Sequence, residues 1–406
     1  MASTPTVAVG QPGGMSPAGW IALALLALGL LYTGQVISLT QAALFAVGGA
    51  FGVVLYHAAF GFTSAWRVFI TERRGAGLRA QMIMLALAVA LFFPALGAGT
   101  AFGTDVSGFV FPIGVAVVVG SFMFGVGMQL GGGCASGTLF TAGGGNMRMV
   151  VTLIGFILGS VIATHHVDWW WDQPAFEAVS LVDSLGVGGG LALSLALFAS
   201  IYFGTRVLEQ RRHGSLEQPA TSGNAGWGRF LRGPWPLIWG AVALAVLNFI
   251  TLLLAGRPWG ITAAFALWGA KGFEMVGIDV SQWAYWQIPG NAEALQASVF
   301  ADVTSVMNFG IVIGALLAAA LAGRFAPSLK IPFRPLMAAI IGGILLGYGA
   351  RLAFGCNIGA YFSDIASGSL HGWVWLIFGF LGNMAGVRLR PWFFGEQQHS
   401  TQPASC

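Results

Sequence analysis

Apolar residues in this chain come in long unbroken runs, not in the alternating or 3.6-residue patterns that leave one face wet. The runs fall near 20–38, 42–61, 80–98, 109–130, 148–164, 185–204, 235–255, 300–323, 335–353 and 372–387. A hydrocarbon core about 30 Å thick needs about 20 apolar residues per helix, so each run is a predicted span. The fold class that follows is an all-α polytopic membrane protein with about ten transmembrane helices. Residues 1–19 contain no Lys or Arg and so lack the basic region of a secretory signal. They read as a disordered N-terminal segment before a retained first span.

Basic residues supply the orientation, because short loops rich in Lys and Arg stay cytoplasmic. They gather in four places: Arg67 to Arg79, Arg206 to Arg232, the turn with Arg324, Lys330 and Arg334, and the end with Arg388 and Arg390. Ten spans with both termini inside put all four in the cytoplasm. The same threading leaves Asp168, Asp172, Glu177, Asp183, Asp279 and Glu293 outside. Trp169, Trp170 and Trp171 read as an interfacial anchor. His165 and His166 beside them have no partner spacing for a metal and read as interface residues.

Composition narrows the class. Residues are 56% hydrophobic and 8% charged, which excludes a water-soluble domain. The net charge of +4 belongs to the loops, so no nucleic-acid partner is expected; membrane lipid is the surrounding partner. The 61 glycines point to close helix contacts, with GxxxG pairs at Gly48/Gly52, Gly155/Gly159, Gly310/Gly314 and Gly382/Gly386. Cys134, Cys356 and Cys406 are too few and too far apart for a disulfide framework or a zinc site. No GxxxxGK[ST], no HExxH and no pair of intramembrane histidines occurs, so neither metal nor cofactor is expected.

The chain repeats itself. Gly120, Gly125, Gly127, Gly133, Cys134, Gly137 and Phe140 align at a constant offset with Gly342, Gly347, Gly349, Gly355, Cys356, Gly359 and Phe362. A weaker match sets Gly61, Thr63 and Ala65 against Gly260, Thr262 and Ala264. Five spans precede the division, so the second copy enters the membrane with the opposite orientation. That is the inverted repeat of many secondary transporters. The expected organisation is 20–183 for the first repeat and 184–390 for the second, with a cytoplasmic linker at 206–234 and a tail at 391–406.

Each repeat carries one long interruption. GGGCASGTLF follows the fourth run and AFGCNIGAYF the ninth. Irregular backbone at membrane depth is tolerated where it is buried in protein or lines a cavity. Each interruption therefore reads as a re-entrant segment with a half-helix after the cysteine. The first turn of a helix has free amide hydrogens that attract anions, and glycine lets a ligand approach closely. Each thiol can donate a weak S–H bond to a soft acceptor such as sulfur. Gly133, Cys134, Ala135, Ser136 and Gly137 form the first candidate site, with Thr138 a further donor; Gly355, Cys356, Asn357, Ile358 and Gly359 form the second. Thr63 and Thr262 join them through the weaker repeat. Arg351, five residues before Cys356 in an apolar run, is a candidate for drawing anions inward or else snorkels at a span end. Lys271 and Glu274, in a segment that also looks half re-entrant, are expected to pair one helical turn apart.

GGGCASGTLF and FGCNIGAYFSDIASG, with GFTSAWR and PWGIT, resemble the YeeE/YedE family of bacterial inner-membrane sulfur-compound transporters. The resemblance covers most of the chain. It implies pseudo-symmetric halves, an hourglass-shaped path lined by cysteines, and import of thiosulfate for cysteine synthesis. Cys134 and Cys356 match the family's cysteine motifs. A small cytoplasmic sulfur carrier of the TusA type is the implied partner. Thiosulfate-importing members have a further cysteine in the early segment, where this chain has Phe62 and Thr63. The expected function is import of a small sulfur-containing anion, most simply thiosulfate, and not an enzymatic reaction. Two alternatives stay open: a channel for another small anion or selenium compound, and a membrane sulfurtransferase that keeps sulfur as a cysteine persulfide.

Overall fold

The computed structural model describes residues 15–217, 226–327 and 329–395. The first half holds α1 (Pro17–Tyr32), α2 (Leu39–Ala58), α3 (Phe62–Glu72), α4 (Ala76–Ala98), α5 (Val115–Gly131), α6 (Ala135–Gly143), α7 (Met147–His165) and α8 (Val167–Trp171). Then come α9 (Leu181–His213), α10 (Trp227–Arg232), α11 (Leu237–Ala255), α12 (Thr262–Met275), α13 (Ala284–Gln287), α14 (Pro289–Gln296), α15 (Val303–Leu321) and α16 (Phe333–Leu352). A π-helical turn at Asn357–Ser363, α17 (Asp364–Ala366) and α18 (Leu370–Phe394) complete the chain. Among the described residues, ten helices are long and apolar enough to cross a membrane, and they coincide with the ten apolar runs.

Local chemistry sets the helix ends. Ser16, Ser38, Asn146, Ser180 and Asp302 cap the amides opening α1, α2, α7, α9 and α15. Gly99, Gly132, Gly214 and Gly256, all left-handed, end α4, α5, α9 and α11.

Glycine then decides which helices touch. Cβ atoms at Gly48 and Gly52 would run into the backbone of Met307 and Ile311 on α15, while Gly310 and Gly314 press back on α2. Gly155 and Gly159 meet α16, and Gly382 and Gly386 meet α5. The expected GxxxG pairs thus form the tightest crossings, where dispersion and not a hydrophobic force holds helices in lipid. Partners are exchanged between the halves: α5 with α18, α7 with α16, α2 with α15, α4 with α11, α3 with α18 and α12 with α7, while α5 and α16 meet each other.

Several expected boundaries move. Residues 17–19 belong to α1, not to a disordered segment, because Ser16 caps them. The loop expected from Arg67 to Arg79 is helical except at 73–75. The linker expected from 206 is helical to His213, and α10 lies within it. The reason is Glu209, which accepts from Arg79 at 2.7 Å, Arg74 at 3.3 Å and the Gly75 amide at 3.0 Å, tying the end of α9 to the α3–α4 turn. Lys271 donates to the Leu295 carbonyl at 2.7 Å instead of pairing with Glu274. Residues 1–14 and Cys406 lie outside the described residues.

Candidate functional site: two cysteine-capped helix starts

Cys134 follows Gly132, whose φ of 90° only glycine adopts without strain, and becomes the N-cap of α6. Its sulfur accepts from the Gly137 amide at 3.4 Å and lies 3.4 Å from the Ser136 hydroxyl. Thr138 donates its hydroxyl to the Cys134 carbonyl at 2.8 Å. A side chain at Gly133 would press on the Thr138 amide at 3.1 Å, which keeps that position small. Ala135, Ser136 and Gly137 are all buried.

Cys356 is the N-cap of the π-helical turn, and its sulfur accepts from the Ile358 amide at 3.4 Å. Gly355 admits the turn because a Cβ there would sit 2.8 Å from the Ala360 amide. The preceding Phe354 is left-handed at φ 56°, a costly state for a bulky residue. Its ring is held by Phe111 at 5.0 Å and Trp171 at 6.3 Å. The π-helical turn touches α6, so the two cysteine-led segments meet inside one buried cluster that contains both thiols.

Two further helices start nearby without side-chain caps. α3 begins at Phe62 and Thr63, and α12 at Thr262. The Thr63 carbonyl accepts from Gln129 at 3.2 Å, and the Phe62 ring packs edge-on to Tyr361 at 5.9 Å. Buried polar atoms without a partner concentrate around these starts: both amide atoms of Asn357, the hydroxyls of Thr63 and Tyr361, and the indole nitrogens of Trp259 and Trp375. Tyr361 stacks on Trp375, and the Trp259 carbonyl accepts from Ser363 at 2.6 Å, so this set surrounds the Cys356 turn. Leaving a buried donor unpaired costs about 1–3 kcal/mol. Gly359 adds room: it is buried, yet a Cβ there would meet nothing within 4 Å.

The cysteine segments and Thr63 therefore share one neighbourhood. Arg351 sits at its edge, buried, donating to the Tyr285 hydroxyl at 2.6 Å with its guanidinium 5.2 Å from that ring. Among the described residues no carboxylate pairs with it. Sequence reasoning did not single out Tyr361, in the second interruption, Trp259, between two spans, or Trp375, within the last span. Trp259 alone had a signal, in PWGIT.

A sequence profile for Sulphur transport matches residues 57–385 and so encloses both cysteine segments. The chain belongs to the YeeE/YedE sulphur-transport family. Among relatives, a protein named thiosulfate transporter TsuA from Spirochaeta thermophila is 29% identical over 355 residues, covering 85% of this chain and 98% of that one. The TsuA of Escherichia coli K12 is 23% identical over 339 residues, 82% of this chain and 90% of that protein. The probable transporter YedE of the same organism is 32% identical over 154 residues, 38% of this chain; this match spans only 37% of that relative's length. As a member of the YeeE/YedE family the chain is a multi-pass membrane transport protein and not an enzyme.

Proposed function

We propose that this protein imports thiosulfate, or a closely similar small sulfur anion, across the bacterial inner membrane between its two cysteine-capped helix starts. One observation carries the reading: Cys134 and Cys356, far apart in sequence, cap two short helical segments that touch in the buried centre. Thiosulfate has a soft terminal sulfur and three hard oxygens, and this surrounding offers both kinds of partner. The thiols suit the sulfur, while the indole nitrogens of Trp259 and Trp375, the hydroxyl of Tyr361 and the amide of Asn357 suit the oxygens. Helix starts add favourable dipoles for negative charge. Thr63 and Thr262 open the flanking helices α3 and α12, and Arg351 adds an uncompensated positive charge beside the second segment.

The exchanged pairings of α5 with α18 and α7 with α16 support two inverted repeats around this path. Glycines at Gly133, Gly137, Gly355 and Gly359 then keep it open. The face with Arg74, Arg79 and Glu209 is cytoplasmic in this reading, and there a TusA-like carrier would collect the sulfur. Cysteines introduced at Ser215 and Ala178 in a cysteine-free background test the orientation: external reagent labels 178 and spares 215, and labelling of 215 alone reverses it.

Transport itself is tested with the purified protein in liposomes, by uptake of sulfur-labelled thiosulfate against sulfate, sulfite and selenite. Saturable uptake of thiosulfate is expected. Uptake that never saturates favours a channel, and a persulfide on either cysteine after exposure, seen by mass spectrometry, favours sulfurtransfer.

A further inference from the structure

The transport reading leaves one buried ionisable pair unused. Asp364 and His371 are both 0% exposed, and Oδ2 of the carboxylate bonds Nδ1 of the imidazole. Asp364 ends the π-helical turn that Cys356 opens, and His371 lies in the first turn of α18. The other atom of each group, Asp364 Oδ1 and His371 Nε2, is buried without a hydrogen-bond partner. With the Nδ1 proton on the carboxylate bond, Nε2 presents a free lone pair.

The pair stands close to the face that carries the acidic loops. The rings of Phe111 and Phe354 lie 5.5 Å and 5.9 Å from the imidazole. The loop before α5 is tied down next to it, the Phe109 amide donating to Ser367 at 2.9 Å. Among the described residues no cation other than a protonated His371 pairs with the carboxylate. Its charged or polar neighbours are His371 and the Ser369 hydroxyl. From the packed elements, the π-helical turn brings Cys356 and Tyr361, α4 brings Arg79 and α18 brings Arg388 and Arg390. Arg79 is bound to Glu209 at the far end of α4, and Arg388 and Arg390 lie about 25 Å and about 28 Å along α18 from His371 at 1.5 Å per residue. Asp183, near the Ser180–Ser369 bridge, is exposed.

We infer that Asp364 and His371 form a proton-binding site that couples anion import to proton entry. With neutral imidazole the pair carries one negative charge beside the path of a divalent anion, and repels it. A proton added at Nε2 makes imidazolium beside carboxylate, net zero, and that repulsion is lifted. Binding is then reciprocal: the anion raises proton affinity as much as the proton raises anion affinity. Release of the anion inside expels the proton inside, so the two move together.

This inference rests on the transport reading, and the experiment separates the two. In liposomes with a trapped pH dye, thiosulfate uptake by the unaltered protein should acidify the lumen. An inside-alkaline gradient of one pH unit should raise steady accumulation about tenfold for each proton carried. Asp364→Asn and His371→Gln should abolish both effects while still exchanging labelled thiosulfate between equal concentrations. If the unaltered protein shows no exchange, the transport reading fails; exchange without proton movement, or variants that keep proton coupling, overturn this inference alone. Should the neutral variants not fold, Asp364→Glu keeps the charge and displaces the carboxylate. It should shift the pH midpoint of coupled uptake, and an unmoved midpoint overturns the assignment.

Discussion

In the Cys134 segment the two polar side chains nearest the thiol are bonded locally, Thr138 to the Cys134 carbonyl and Ser136 to the sulfur, and the Thr141 hydroxyl one turn on is left unpaired. In the Cys356 segment the amide of Asn357 and the hydroxyl of Tyr361 have no hydrogen-bond partner among the described residues. The difference extends to the backbone. Gly132 enters the first segment in a left-handed state without strain, whereas its counterpart Phe354 holds a similar state at a cost and needs flanking rings. α6 is a regular helix and the second segment a π-helical turn, an irregularity that is frequent at functional sites. In the proposed path the second segment therefore offers more unpaired polar groups to an anion than the first.

The largest expected effect would break that asymmetry. Cys134→Ala and Cys356→Ala should each abolish thiosulfate uptake while leaving insertion and thermal stability nearly intact, since each removes one small group. Normal uptake by the double variant would sink the paired-thiol path altogether. Loss confined to Cys356→Ala would sharpen the contrast and reduce the first segment to a scaffold.

Next come the polar neighbours. Asn357→Leu should lower uptake efficiency by about tenfold or more, the value of a hydrogen bond to a charged group, without lowering the melting temperature. Thr138→Val should do the reverse: about 1 kcal/mol less stability from its lost bond, with uptake per folded molecule retained. Thermal melts beside uptake kinetics check both, and equal behaviour of the two would erase the distinction.

A smaller effect tests the space beside the thiols. Gly359→Ala should fold well, because a Cβ meets nothing within 4 Å, and should raise the KM by narrowing the path. Gly137→Ala places its methyl 3.5 Å from the Cys134 sulfur and should do likewise. Gly125→Ala is the control for packing: its Cβ would sit 2.8 Å from the Asn383 amide, so stability and not KM should fall. An unchanged KM for Gly359→Ala would show that the space beside Cys356 is not on the path.

The smallest effect belongs to Arg351. Glutamine there should raise the KM for a divalent anion modestly, lysine should restore part of it, and Tyr285→Phe, which removes only the hydroxyl partner, should leave it unchanged. If Tyr285→Phe matches Arg351→Gln, the arginine acts by packing.

What the chain alone determined follows from distances of a few residues. Apolar runs of span length, GxxxG spacing, cap residues and the glycine–cysteine repeats are local, and the structure returns ten candidate helices with those glycines at their crossings. The place of each cysteine at a helix start was legible too, since that needs only its neighbours. Other features depended on residues remote in sequence. Glu209 turned an expected linker into helix because Arg74 and Arg79 lie more than a hundred residues away. Trp375 read as an ordinary span aromatic and Trp259 as part of a short motif until packing left their nitrogens unpaired around Cys356. Asp364 and His371 are ordinary polar residues in the sequence, and it is the folding of α18 beside the π-helical turn that joins and buries them. Sequence specifies which groups are present and how each local stretch bends, but desolvation and pairing are properties of neighbours, and only the tertiary structure chooses those.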